Sequence, residues 1–181
     1  MDIENKIKLR MTDERFKHAL ETARLCDILS DSYPINSEKL RLTALSHDIA
    51  KDIPKEEMER LIDKYGVVLD EIEKKEKGLW HGPVGALILR EEFDIDDQEI
   101  LDAVKFHSTG KENMSLYGKL IYIADFLETW PDKEFEDIAR VDLDACLKII
   151  AGKKISYVLK KGSLLHPRTV SLWNNLCIRK R

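Results

Sequence analysis

Apolar residues recur at intervals of three and four along almost the whole chain, the pattern of helices that bury one face. Phe16, Ala19, Leu20, Ala23 and Cys26 line one side of a first helix, with Thr12 or Asp13 as its cap and Tyr33-Pro34 as its break. Ser37 is placed to cap a second helix that carries Leu40, Ala44 and Leu45 into His47-Asp48. Pro54 suits the first turn of a third, through Met58, Leu61 and Ile62 to a stop at Gly66. Segment 70–77 reads as an exposed helical turn and nothing more. Pro83 begins the next helix (Val84, Leu87, Ile88), 97–106 makes another, and 108–113 reads as a loop. The most apolar helix is 114–128. After a charged loop, 142–150, 154–161 and 167–176 supply three further helical segments. With no repeat, linker or convincing strand pattern, the expectation is one all-α domain over 1–181.

Composition narrows the function classes. A chain of 181 residues has enough material for a continuous core, and 8 glycines with 5 prolines suit helices joined by short connections. The net charge of -4 provides no global attraction for nucleic acid, so a phosphate-rich ligand needs local help from a metal and a few placed cations. Cys26, Cys146 and Cys177 are scattered and odd in number, which reads as reduced thiols in a reducing cytosol. The N-terminal stretch is too charged for a signal peptide, and no apolar run approaches the ~20 residues of a membrane span. A cytoplasmic protein with neither nucleic-acid nor membrane partner is expected. A homodimer suits a small helical enzyme, though no surface patch declares one.

The chemistry lies in an ordered series of imidazoles and acids: His18, His47-Asp48, His81, His107 and Asp125. Adjacent His47 and Asp48 can grip one ion, and Asp125 sits in an apolar helix where an uncompensated carboxylate is costly. Histidine nitrogen with carboxylate oxygen suits Fe, Mn, Zn, Co or Ni, and the absence of a thiolate ligand argues against a purely structural zinc site. Taken singly, each residue has a plainer reading. A lone helical histidine is usually a surface or hydrogen-bonded core residue, Asp125 alone could be an ion-pair partner, and Lys51 could pair with Asp48 or Glu56. Together, the ordered set points to a metal-dependent phosphohydrolase.

That order resembles the HD-domain superfamily, helical metal-dependent phosphohydrolases with ligands in the order His … His-Asp … Asp. The likeness is closer to the YqeK-like symmetrical diadenosine tetraphosphate hydrolases. It rests on Ala44-Leu-Ser-His-Asp-Ile-Ala-Lys51, Leu79-Trp-His-Gly-Pro-Val-Gly-Ala86, Ile100-Leu-Asp-Ala-Val-Lys-Phe-His-Ser-Thr-Gly110, Lys119-Leu-Ile-Tyr-Ile-Ala-Asp-Phe-Leu-Glu128 and Pro167-Arg-Thr-Val-Ser-Leu-Trp-Asn174.

The resemblance implies an HD-type helical bundle with His18, His47, Asp48 and Asp125 as metal ligands, and with His81 and His107 facing the phosphates or forming a second metal position. It implies iron, with Mn, Co, Zn or Mg as alternatives, and ADP as the product. Asp48, Lys51, His81 and His107 carry the catalytic roles. Nucleotide contacts fall on His18, Asp48, Ile49, Ala50, Lys51, His81, His107, Ser108 and Asp125. Pro167, Arg168, Thr169, Val170, Ser171 and Leu172 add contacts near the base or sugar. The site is expected mainly within 15–131, with helices in 142–178 closing the nucleotide pocket.

Two positions depart from the family pattern. Ser108 stands where a threonine is usual, which preserves a hydroxyl. Pro131 occupies the slot of a phosphate-facing arginine, for which Lys133 or Arg140 is a candidate replacement. Two alternatives stay open beside the dinucleotide hydrolase: an HD-type nucleotidase acting on mononucleotides, which would share every metal ligand, and a non-catalytic ADP-binding sensor, which Pro131 favours.

Overall fold

Residues 2–178 are described by the computed structural model, so the expected domain bounds of 1–181 run past the described residues at both ends. Ten α-helices and one 3-10 turn follow one another, with no strand among the described residues. The helices are α1 (Ile3–Lys8), α2 (Asp13–Ser30), α3 (Ser37–Ser46), α4 (Lys55–Tyr65), α5 (His81–Phe93), α6 (Gln98–Phe106), α7 (Leu116–Thr129), α8 (Lys133–Val141), α9 (Leu143–Lys160) and α10 (Pro167–Ile178). The 3-10 turn, Lys77–Leu79, leads into α5.

The most apolar helix, α7, is the centre. It buries Tyr117, Leu120, Ile121, Tyr122, Ile123, Ala124, Phe126 and Leu127, and packs against α2, α6 and α9 on different sides. A helix apolar on nearly every side has to be surrounded. Helices α2 and α3 pack as one neighbour pair, α5 and α6 as another, and α9 packs against both α8 and α10. One apolar cluster runs through all these contacts, from Ile7 to Leu176.

The helix starts obey local capping chemistry. Thr12, Asp97, Ser115 and Asp142 each place a side-chain oxygen on an otherwise unpaired N–H of the first turn. Gly66 ends α4 in the left-handed conformation.

Several sequence expectations shift. Asn36, not Ser37, caps α3, because its side chain accepts from the Lys39 N–H. Pro54 precedes α4 at the cap position. Helix α5 begins at His81, two residues before Pro83, since a proline without an N–H is tolerated anywhere in the first turn. The segments 142–150 and 154–161 are one continuous helix, with Gly152 inside it against the Trp173 ring. Helices α1 and α8 are additions: α1 seals the core with the single buried residue Ile7, and α8 occupies the charged loop. Segment 70–77 is more than an exposed turn, because Glu73 is 3% exposed and ion-paired to Arg168. Trp80 is a packing residue: it is buried and donates from Nε1 to the Glu73 carbonyl at 2.7 Å.

Candidate metal centre and active site

Five elements deliver the histidines and acids to one point. His18 lies mid-way along α2, His47 closes α3 and Asp48 follows it, His81 opens α5, His107 closes α6, and Asp125 projects from α7. The helix ends explain the ring orientations. The last carbonyls of a helix lack intrahelical partners, and His47 Nδ1 donates to the Ala44 carbonyl at 2.7 Å while His107 Nδ1 donates to that of Val104 at 2.7 Å. His81 Nδ1 does the same to Gly78 at 2.8 Å, across the 3-10 turn. His18 Nδ1 meets the Glu128 carboxylate at 2.7 Å. An oxygen acceptor on every Nδ1 makes that nitrogen the protonated one and leaves Nε2 with a lone pair.

All four lone pairs converge. His18 and His47 bring their Nε2 atoms within 3.2 Å, and His81 and His107 within 3.0 Å. Asp48 lies between the two pairs. Its Oδ2 is 3.8 Å from both His18 and His47, and its Oδ1 is 3.4 Å from His81 and 3.3 Å from His107. Asp125 Oδ1 adds to the first pair, 3.4 Å from His18 and 3.7 Å from His47. Asp48 Oδ1 is buried with no hydrogen-bond partner, and neutral imidazole lone pairs repel at these separations. Both features ask for a cation. Ligand atoms of His18, His47 and Asp125, and those of His47, Asp48 and His107, lie close enough together to share an ion. The donor set fits a divalent metal.

Burial lowers the pKa of His18 and His47, but Asp125 beside both rings, with Asp48 at His47, raises the two on balance. These imidazoles therefore share charge with the acids until an ion takes that role. Burial opposes ionisation of Asp48, yet the facing His47 and His107 rings hold its carboxyl well below the usual range. Asp125 is likewise lowered against its burial by His18, His47 and Lys154. Burial, His107 and Lys51 push His81 down to about 3, which keeps the ring neutral and available as a ligand.

Other expected contacts are placed as follows. Lys51 Nζ reaches His81 Nε2 at 3.2 Å, and Ser108 Oγ is 3.1 Å from both His81 and His107. Ile49 and Ala50 do not face the cluster with their side chains; they are fully buried against the α5 backbone at Gly85. Thr169 donates to the Thr109 carbonyl at 2.7 Å and Leu172 packs on Gly110, so both brace the loop after His107. Arg168 is bound to Glu73 at 2.7 Å and Asp70 at 3.1 Å, with His166 beside them. Its guanidinium fills the centre of that acidic cluster and clamps α10 to segment 70–75. Pro167 is exposed and Ser171 half-buried. Val170 lines a groove of about 1010 Å³ together with Phe126, Trp130, Pro131, Tyr157 and Trp173.

Three functional neighbours escaped the sequence reading. Arg15 donates to Asp48 Oδ2 at 2.7 Å, Glu128 orients His18, and Lys154 lies 3.6 Å from Asp125 Oδ2. Arg15 and Glu128 each stand three residues from a ligand on the same helix face, a spacing that could have flagged them. Lys154 carries no such signal.

The fold and this centre together define a helical metal-dependent phosphohydrolase, and the comparisons with known proteins agree. The HD domain model matches residues 15–130, which include every candidate ligand. The chain belongs to the HD domain family. It is 32% identical to a "Bis(5'-nucleosyl)-tetraphosphatase, symmetrical" of Halalkalibacterium halodurans, over 97% of this chain and 95% of that one. A protein of the same name from Bacillus subtilis is 30% identical over 93% and 92%. A crystal structure of a predicted HD superfamily hydrolase involved in NAD metabolism, from Clostridium acetobutylicum, superposes with a TM-score of 0.90 at 32% identity, covering 98% of this chain and 96% of that one.

Proposed function

We propose that this chain hydrolyses diadenosine tetraphosphate symmetrically: one water is consumed, the central phosphoanhydride breaks, and two ADP leave. The observation that carries the reading is the convergence of four Nε2 lone pairs and two carboxylates on one point, in a chain alike over nearly its whole length to symmetrical tetraphosphatases.

His18, His47, Asp48 and Asp125 hold the metal, iron by family resemblance, and His81, His107 and Asp48 Oδ1 offer a second position. When bound, a divalent ion supplies Lewis acidity toward a phosphoryl oxygen and lowers the pKa of water from 15.7 to ~7. Asp48 serves both halves of the cluster, one oxygen to each. Lys51 and Arg15, directed at His81 and Asp48, give positive charge for the phosphoryl oxygens. Ser108 Oγ can donate to a phosphate oxygen. Glu128 fixes the plane of the His18 ring.

The register follows from the groove. Its aromatic and aliphatic walls, from the end of α7 and from α9 and α10, suit one nucleoside, and Lys154 joins the groove to the metal centre. An ADP-sized half seated there presents its terminal phosphorus to water, and the other ADP departs with the bridging oxygen. The C-terminal helices thus close the nucleotide pocket from one side.

The test is incubation of the protein with diadenosine tetraphosphate and Fe, Mn or Co, with products separated by chromatography. ADP as the sole product is expected. ATP plus AMP, or phosphate release from monophosphates alone, rejects the reading.

A further inference from the structure

The ammonium of Lys154 sits where the two parts of the site meet. Its Nζ lies 3.6 Å from Asp125 Oδ2, while Asp125 Oδ1 faces His18 and His47. It approaches the His107 carbonyl at 3.5 Å and lies 3.8 Å from the centre of the Tyr122 ring. The side chain is only 17% exposed, yet it lines the groove alongside Pro131, Trp130 and Val170. An ammonium has three donor protons. Here one is directed at Asp125 and a second makes only a long contact with the His107 carbonyl, which leaves capacity for an anion arriving from the groove.

The two candidates raised by the proline at 131 are placed elsewhere. Lys133 is exposed on α8 and ion-paired with Glu136 and Asp137, at 3.2 and 3.1 Å. Arg140 is exposed at the far end of the same helix, and neither residue lines the groove. Lys154 and Pro131 line the same groove, so a cation from α9 stands in the groove that Pro131 borders.

We propose that Lys154 binds the phosphate linking the metal-centred phosphoryl group to the nucleoside, and that it selects a nucleoside diphosphate half over a monophosphate. This rests on the function proposed above. A diphosphate with its terminal phosphoryl group at the cluster sets its inner phosphate toward the groove, against Lys154. A monophosphate at the cluster has no second phosphate to offer.

Calorimetric titration of the Mn-loaded protein with ADP and with AMP tests the assignment. A charged hydrogen bond lost from the complex predicts that Lys154→Met binds ADP about ten- to a hundred-fold more weakly. AMP affinity and Mn content should stay near wild type, and Lys154→Arg should recover most of the ADP affinity. In turnover, Lys154→Met should raise KM for diadenosine tetraphosphate more than it lowers kcat. Unchanged ADP affinity in Lys154→Met overturns the proposal. So does equal loss of ADP and AMP with falling Mn content, which would make Lys154 only a counter-charge for Asp125. Wild-type protein that binds ADP but leaves diadenosine tetraphosphate intact fails the functional reading alone, and the ADP-to-AMP ratio still decides the role of Lys154. Wild-type protein that binds no ADP overturns both.

Discussion

His81 and His107 hold their Nε2 atoms 3.0 Å apart although each ring already donates from Nδ1 to a backbone carbonyl. Two facing lone pairs at that distance repel. Lys51 Nζ at 3.2 Å from His81 Nε2 and Ser108 Oγ at 3.1 Å from both rings offset part of this, and a cation entering the cluster offsets more. Ion binding should therefore stabilise the fold. At an ion concentration of 100 times Kd the gain is about 2.7 kcal/mol. Thermal unfolding with Mn and then with excess chelator checks this; a midpoint indifferent to both counts against a metal centre.

Asp125→Ala should abolish metal retention and activity while helical content stays nearly intact. Asp125 faces the cluster rather than the core, and its side chain is 22% exposed. Elemental analysis beside far-UV circular dichroism reads both effects. Unchanged metal content would remove Asp125 from the ligand set.

Glu128→Gln tests the orientation of His18. An amide cannot supply the carboxylate charge that now faces Nδ1 at 2.7 Å. Outer partners of this kind change metal affinity by about ten- to a hundred-fold. Competition against a chromogenic chelator should show the weakening, with little change in the melting temperature of the metal-free protein.

Gly82→Ala should disturb the cluster from behind. A Cβ at Gly82 would stand 2.5 Å from the Lys105 carbonyl, so α5 and α6 must move apart. Overpacking of this kind costs about 1–3 kcal/mol. The helices carry His81 and His107, so metal affinity should fall with stability. A variant as stable as wild type would show that the contact between these helices is looser than the structure has it.

His166 gives a pH signature. Burial lowers its pKa from 6.5, with Arg168 acting in the same direction against Asp70 and Glu73. The unfolded chain then binds the proton more readily, so this residue withdraws stability as pH falls through 6.5 toward its lower folded value. In His166→Gln that contribution disappears, and the loss of stability between pH 7.5 and 5.5 should be smaller than in wild type. Urea unfolding at the two pH values measures it.

Much of this protein could be read from the order of its residues. Helical spacing marked α2, α3, α4, α5, α6, α7 and α10, because a helix that buries one face repeats its apolar residues whatever it packs against. The ligand candidates were visible because His-Asp pairs and an acid among apolar residues are chemically conspicuous, and Ala124-Asp125 in α7 is the clearest case. Short α1 buries one residue, too little pattern to see, whereas α8 does space Phe135, Ile138 and Ala139 at helical intervals, a signal masked by its charged setting.

What only the tertiary structure decided is which groups meet across the fold. Asp48 is shared between two histidine pairs from four helices, and Arg168 is spent on Glu73 and Asp70, 95 residues away in the case of Glu73. Lys154 stands at Asp125 while Lys133, nearer in sequence, does not. Charge pairing depends on distance through space, and a chain folded into packed helices brings residues together in an order that linear spacing does not carry.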